Sequence, residues 1–256
     1  MDLYKDNKSD FDQYIIAYAI GNEPETTQTS MIVDSIKTIR NLVAAGKLPD
    51  KPITSVMNMN ETAPQQWIIP KSSYPPHKCE FSGDYKLLID HLDIVCFNCY
   101  GGYFDQNGLT RELGGAKALE VSLSWVPGKS IIVNQISAIR SAMMKIKSDK
   151  PFWLTETGWS SSMLLRDGKP VIDIDGNLQT DSRWSNIENM KKFYNGFIKF
   201  DATQNMLFEI DGTSYNIKPP EKIFYFSLRD SHLSRLEIDE FFGLFEIDVT
   251  SLKSKI

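Results

Sequence analysis

The chain has 256 residues, 41% hydrophobic and 24% charged, enough for one large domain with a sizeable buried core and without a composition shift that would argue for two. Its 28 basic and 33 acidic side chains leave a formal charge of −5, which disfavours nucleic acid or an anionic membrane as the main partner, since both need a basic face. The sequence has no run of about 18 apolar residues that could span a membrane, no apolar stretch in its first dozen residues to serve as a signal peptide, and three cysteines, Cys79, Cys96 and Cys99, too few and too odd in number for a disulfide framework.

Along the chain, Tyr14–Ile20 (YIIAYAI) is a continuous apolar run, the pattern of a strand covered on both faces. Gly21-Asn22-Glu23-Pro24 follows it, then a helical stretch over Gln28–Ala45 stopped by Gly46. Ile53–Met57 reads as the second strand. A long proline-containing loop with Trp67 and Tyr74 comes next, either a sugar-stacking wall or simply a covered loop, and then a short helix near Asp84–His91. Asp93–Cys99 is the third strand, Ser130–Lys147 a helix, Pro151–Thr155 the fourth strand, Ser185–Phe200 a helix and Lys222–Leu228 the fifth strand. Asp167-Gly168 and Asp175-Gly176 within Leu164–Thr180, and Asp211-Gly212 within Met206–Ile217, predict hairpins. Strands alternating with helices imply a parallel sheet with helical crossovers.

In a (β/α) barrel the catalytic groups stand at the C-terminal ends of the strands, so the residues that follow each strand are the informative ones. After the first come Asn22 and Glu23; after the third, Asn98 and Tyr100; after the fourth, Glu156 and then Thr157-Gly158-Trp159; after the fifth, Arg229 and Asp230. This set suits glycoside hydrolysis with retention, which needs one carboxyl to protonate the leaving oxygen and another, at roughly 5–5.5 Å, to attack the anomeric carbon. Glu23 is the expected acid/base and Glu156 the nucleophile. Asn22 is placed to bond a sugar 2-hydroxyl, Tyr100 to hold the Glu156 carboxylate, and Trp159 to offer an apolar face to a pyranose ring.

Each residue taken singly has a plainer reading. Gly-Asn-Glu-Pro is good turn chemistry, Glu156 could be a carboxylate at a helix N-terminus, and Tyr100 an ordinary half-buried phenol. Their conjunction at successive strand ends favours the chemical reading. Cys96-x-x-Cys99 carries no metal or redox expectation, because an offset of three in a strand points the side chains to opposite faces. The three histidines have no ligand spacing, and Asp173-x-Asp175-Gly176 lacks the distal glutamate of a calcium loop.

Four segments resemble glycoside hydrolase family 17, the β-1,3-glucanases. YIIAYAIGNEP is similar to the family's fourth strand, DIVCFNCYGGYF to its sixth, FWLTETGWSSS to its seventh, and KIFYFSLRD with LEIDEFFGLFEID to its eighth strand and closing segment. The resemblance implies a TIM (β/α)8-barrel and a double-displacement glycosidase acting on β-1,3-glucan. Glu23 and Glu156 are then catalytic, while Asn22, Asn98, Tyr100, Trp159 and Glu237 surround the substrate. No metal or organic cofactor is implied, the partner is a β-glucan polysaccharide or oligosaccharide, and the setting is extracellular or the cell wall.

The chain departs from the family before its first strand, where three strand–helix units are expected and only 13 residues stand. Residues 1–256 therefore read as one incomplete barrel, strands four to eight, with two unpaired sheet edges. A lysine expected soon after the eighth strand is also missing beside Arg229-Asp230. A glucan transglycosylase, a non-catalytic glucan-binding protein and a fragment of a longer glucanase are the alternative readings.

Overall fold

The computed structural model describes residues 3–59, 68–69, 79–172, 178–210, 213–231, 240–247 and 252–256. Trp67, Tyr74, Asp173, Asp175, Gly176, Asp211, Gly212 and Glu237 lie outside them. The sheet has five strands: β1 (Tyr18–Asn22), β2 (Ile53–Asn58), β3 (Val95–Asn98), β4 (Phe152–Thr157) and β5 (Lys222–Tyr225). All four pairings are parallel, and the spatial order follows the chain order. That is the order of a barrel wall; a doubly wound sheet reverses direction part-way across.

Helices make the crossovers. α1 (Lys8–Tyr14) precedes β1, α2 (Thr29–Ala44) joins β1 to β2, and α3 (Gly83–Ile89) leads into β3. Between β3 and β4 run α4 (Gln106–Leu113), α5 (Gly115–Leu123) and α6 (Ile131–Lys145); α7 (Ile187–Lys199) follows β4. Helix starts are set by side-chain caps. Ser82, Ser130 and Asn186 accept backbone N–H bonds from Tyr85, Val133 and Asn189, each satisfying an amide that the helix leaves open. α4 and α5 did not stand out in the sequence, where Gly108, Gly114 and Gly115 interrupt the helical pattern. Gly114, at φ +78°, is the break between the two.

The expected strand at Tyr14–Ile20 is displaced. Tyr14 closes α1 and is 71% exposed, and pairing begins at Tyr18. β1 is half-exposed along its length, whereas a continuous apolar run predicts cover on both faces. Among the described residues β1 has β2 as its one neighbour, so it is an edge. The predicted hairpins form at Leu165–Arg166 with Lys169–Pro170 and at Met206–Ile210 with Thr213–Ile217.

The main core fills the space between the sheet and the helices, and α6 is buried around most of its surface through Ile132, Val133, Ile136, Ile139 and Met143. Cys99 belongs to this core, while Cys96 points to the other face with Val56 and Ile94, the opposition expected of residues three apart in a strand. At the N-terminal end of the sheet, Arg140 ties the helix layer to the approach of β5. It donates to the Lys218 carbonyl at 3.0 Å and to Glu221 at 2.7 Å, and Glu221 accepts the Phe152 amide at 2.7 Å. No helix of the described residues is long and apolar enough to cross a membrane.

Candidate active site

The ladder becomes irregular toward the C-terminal strand ends. Register shifts fall between Ala19 and Asn22 in β1, between Phe97 and Asn98 in β3, and between Ile223 and Tyr225 in β5. Such bulges re-aim side chains and are frequent beside active sites. At the end of β1, Gly21 has φ +81° and Glu23, the residue after the strand, φ +52°. Glycine adopts that region without cost and glutamate does so rarely, and the Glu23 amide is held there by a 2.8 Å bond to the Val56 carbonyl.

Five of the predicted side chains meet in one hydrogen-bonded array. Asn98, 1% exposed, is the hub. Thr155 Oγ1 donates to Asn98 Oδ1 at 2.8 Å, which turns the amide nitrogen toward β1. From there Asn98 Nδ2 donates to Glu23 Oε1 at 3.0 Å and to Asn22 Oδ1 at 3.2 Å. Asn22 Nδ2 in turn donates to Glu156 Oε1 at 3.4 Å, and the Tyr100 hydroxyl donates to Glu156 Oε2 at 2.6 Å. The short phenol–carboxylate distance is that of a charge-assisted bond. Burial, then the adjacent Glu156 charge, pushes the Tyr100 phenol well above its ordinary range, so it remains a donor.

Glu156 is half-buried and Glu23 exposed. Burial pushes the Glu156 carboxyl up from its ordinary value, and the Glu23 charge adds to this. Donors from Tyr100, Asn22 and Asn98 pull the other way. Desolvation thus opposes the ionised form a nucleophile needs, and the hydrogen bonds favour it.

Trp159 does not face the site. Its ring is fully buried, stacked on Trp184 at 5.9 Å and 10° and edge-on to Tyr103, and its Nε1 donates to the Trp184 carbonyl at 2.8 Å. The residue before it is closely packed: a Cβ on Gly158 would sit 2.0 Å from the carbonyl oxygen of Phe226, just past β5. The expectation that Trp159 stacks on a sugar is therefore corrected. Among the described residues Phe104, 37% exposed, has its ring 5.2 Å from that of Tyr100, which holds Glu156, and edge-on to it.

One further group was not singled out in the sequence. Glu240, half-buried, is pushed up first by burial and then by the charges of Glu156 and Glu23. The signal was present in LEIDEFFGLF, where Glu240 stands three residues before Gly243; the resemblance had been followed to Glu237 instead. Asp230, expected at a strand end without a nearby lysine, is buried and paired with Lys255 at 2.6 Å.

No family model matches the chain, and no curated protein does. Among solved structures it is similar to an endo-laminarinase from Formosa Hel1_33_131, with a TM-score of 0.59 and 19% identity over 95% of this chain and 57% of that one. The fold is that of part of a (β/α) barrel. This partial barrel thus spans little more than half the length of that laminarinase. A weaker likeness, TM-score 0.44 and 12% identity, is to a glycoside hydrolase family 17 β-1,3-glucanosyltransferase from Rhizomucor miehei, covering 98% of this chain and 68% of that one.

Proposed function

We propose that the chain carries the catalytic carboxylates of a retaining β-glycosidase of the family 17 type acting on β-1,3-glucan, with Glu156 as nucleophile and Glu23 as acid/base. The observation that supports this most is the array in which Tyr100 and Asn22 donate to one glutamate while Asn98 donates to the other. Two carboxylates at the C-terminal ends of β1 and β4, held differently by neutral donors, suit double displacement. A Glu156 oxygen bonds to the anomeric carbon as the glycosidic C–O bond breaks, and the departing oxygen takes the Glu23 proton. Glu23, now a carboxylate, removes a proton from water. The water oxygen then displaces Glu156 and releases a sugar of retained configuration.

Asn22 and Asn98 orient the carboxylates, the exposed Asn22 is available to the sugar 2-hydroxyl, and Phe104 supplies the apolar face that the sequence assigns to Trp159. The fold likeness to a laminarinase agrees with an internally cut β-1,3-glucan as substrate, and an extracellular or cell-wall setting follows from that substrate. A sugar hydroxyl in place of water in the second step would make the product a transferred glucan. The test is release of reducing ends from a linear β-1,3-glucan by the folded chain. Replacing Glu23 with Gln should lower turnover by about 10²–10⁴-fold, and glucan binding without turnover by the unaltered chain would favour a binding protein.

A further inference from the structure

Lys255 is a charged group whose side chain is only 3% exposed, set against an Asp230 side chain that is 5% exposed. Its Nζ donates to Asp230 Oδ1 at 2.6 Å and to Ser161 Oγ at 2.8 Å, with the Phe241 carbonyl at 3.4 Å. The knot extends further. Asp230 Oδ1 accepts the Gly243 amide at 3.0 Å, and Ser161 sends both its amide, at 2.9 Å, and its hydroxyl, at 3.0 Å, to the Phe241 carbonyl. One lysine thereby joins the loop after β4, the loop after β5, the segment Phe241–Gly243 and the short strand Leu252–Ser254 that precedes it.

The segment so held carries one side chain of the site and adjoins another. Glu240, beside that segment, exchanges backbone bonds with Ser231 at 2.8 and 2.9 Å, and its carboxyl lies within reach of the Glu156 and Glu23 charges. The Phe242 ring lies 5.6 Å from that of Tyr100, whose hydroxyl holds Glu156. Clearance is minimal, because a Cβ on Gly243 would meet the Asp230 amide nitrogen at 2.0 Å. A buried ion pair gains little net stability, since desolvating both charges offsets their attraction. What four tied segments acquire is a single register.

We propose that Lys255 is a positioning residue, whose contacts with Asp230, Ser161 and the Phe241 carbonyl fix the closing segment so that Glu240 and Phe242 stand against the Glu23–Glu156 pair. This deepens the function proposed above, yet its test does not need turnover. The ionisable groups facing Glu156 are Glu23, Glu240 and the Tyr100 phenol. In the chain labelled with ¹³C at glutamate carboxyls, the Glu156 signal is identified by its loss in Glu156→Gln and titrated with pH.

Glu240→Gln should lower the Glu156 midpoint by removing a like charge, and in a Lys255→Met background that lowering should fall to less than about half. Should the single change leave Asp230 unpaired and unfold the chain, Asp230→Asn with Lys255→Met leaves no buried charge and carries the same measurement. A merely structural pair would lower the melting temperature and leave the coupling intact. An undiminished Glu240 effect in either folded background overturns the proposal, as does the absence of any Glu240 effect in the unaltered chain. Loss of coupling in a chain that never turns over glucan would instead sink the proposed function alone.

Discussion

Tyr100 and Glu156 define the residue scale. The phenol donates at 2.6 Å into a carboxylate that burial pushes toward its protonated form, and a hydrogen bond to a charged acceptor contributes about 1.5–3 kcal/mol. Since the attacking carboxylate must be ionised, activity should rise with pH through the Glu156 midpoint, which lies above the ordinary carboxylate value. Replacing Tyr100 with Phe should move that acidic limb further up, and replacing Glu240 with Gln should move it down; kcat/KM followed against pH reads both. Equal limbs in the three proteins would mean that neither group tunes Glu156. Phe104→Ala should raise KM more than it lowers kcat, because a stacked sugar face contributes to ground-state and transition-state binding alike. Glu23, Asn22, Asn98, Tyr100 and Glu156 were legible in the sequence because each stands at or just past the C-terminal end of a strand, and strand ends are where a barrel displays its chemistry. Trp159 was misread because the text Glu-Thr-Gly-Trp does not reveal that the indole packs inward against Trp184 and Tyr103.

At the scale of the element, the strands and long helices were readable from apolar periodicity, and their ends moved by a few residues. β1 was the exception: its apolar letters are those of a buried strand, yet burial depends on neighbours that periodicity does not count. α4 and α5 were hidden by glycines that act as breaks between short helices. The contact of the β4 exit with the residue after β5 is sensitive to a single atom. Gly158→Ala places a Cβ against the Phe226 carbonyl, and overpacking of this kind costs about 1–3 kcal/mol. Chemical denaturation should record that loss, together with reduced turnover, because Glu156 lies two residues away. An unchanged midpoint would show that the strands part without strain.

Across the whole molecule the two ends of the sheet do different work. The C-terminal end gathers the carboxylates, and the N-terminal end is tied by Arg140 and Glu221. Burial alone would push the Glu221 carboxyl up, but Lys218, the Phe152 amide and Arg140 together hold it below its ordinary value. A carboxyl depressed in the folded chain stabilises it above the unfolded midpoint, and that contribution fades as pH falls through the folded one. Glu221→Gln should therefore lower stability by about 1–3 kcal/mol near neutral pH, flatten the acid end of the stability profile and leave the Glu156 titration alone. Thermal melts across pH would record it. Long-range pairings such as Asp230 with Lys255 were invisible in the sequence, because nothing local marks two charges that fold together from opposite ends of a segment.

The central claim is that Glu156 attacks the sugar. Reducing ends released from a linear β-1,3-glucan, measured for the folded chain and for Glu156→Gln, test it most directly. The account predicts turnover in the first and a loss of at least about three orders of magnitude in the second, with the fold retained. Turnover that survives the substitution would contradict it.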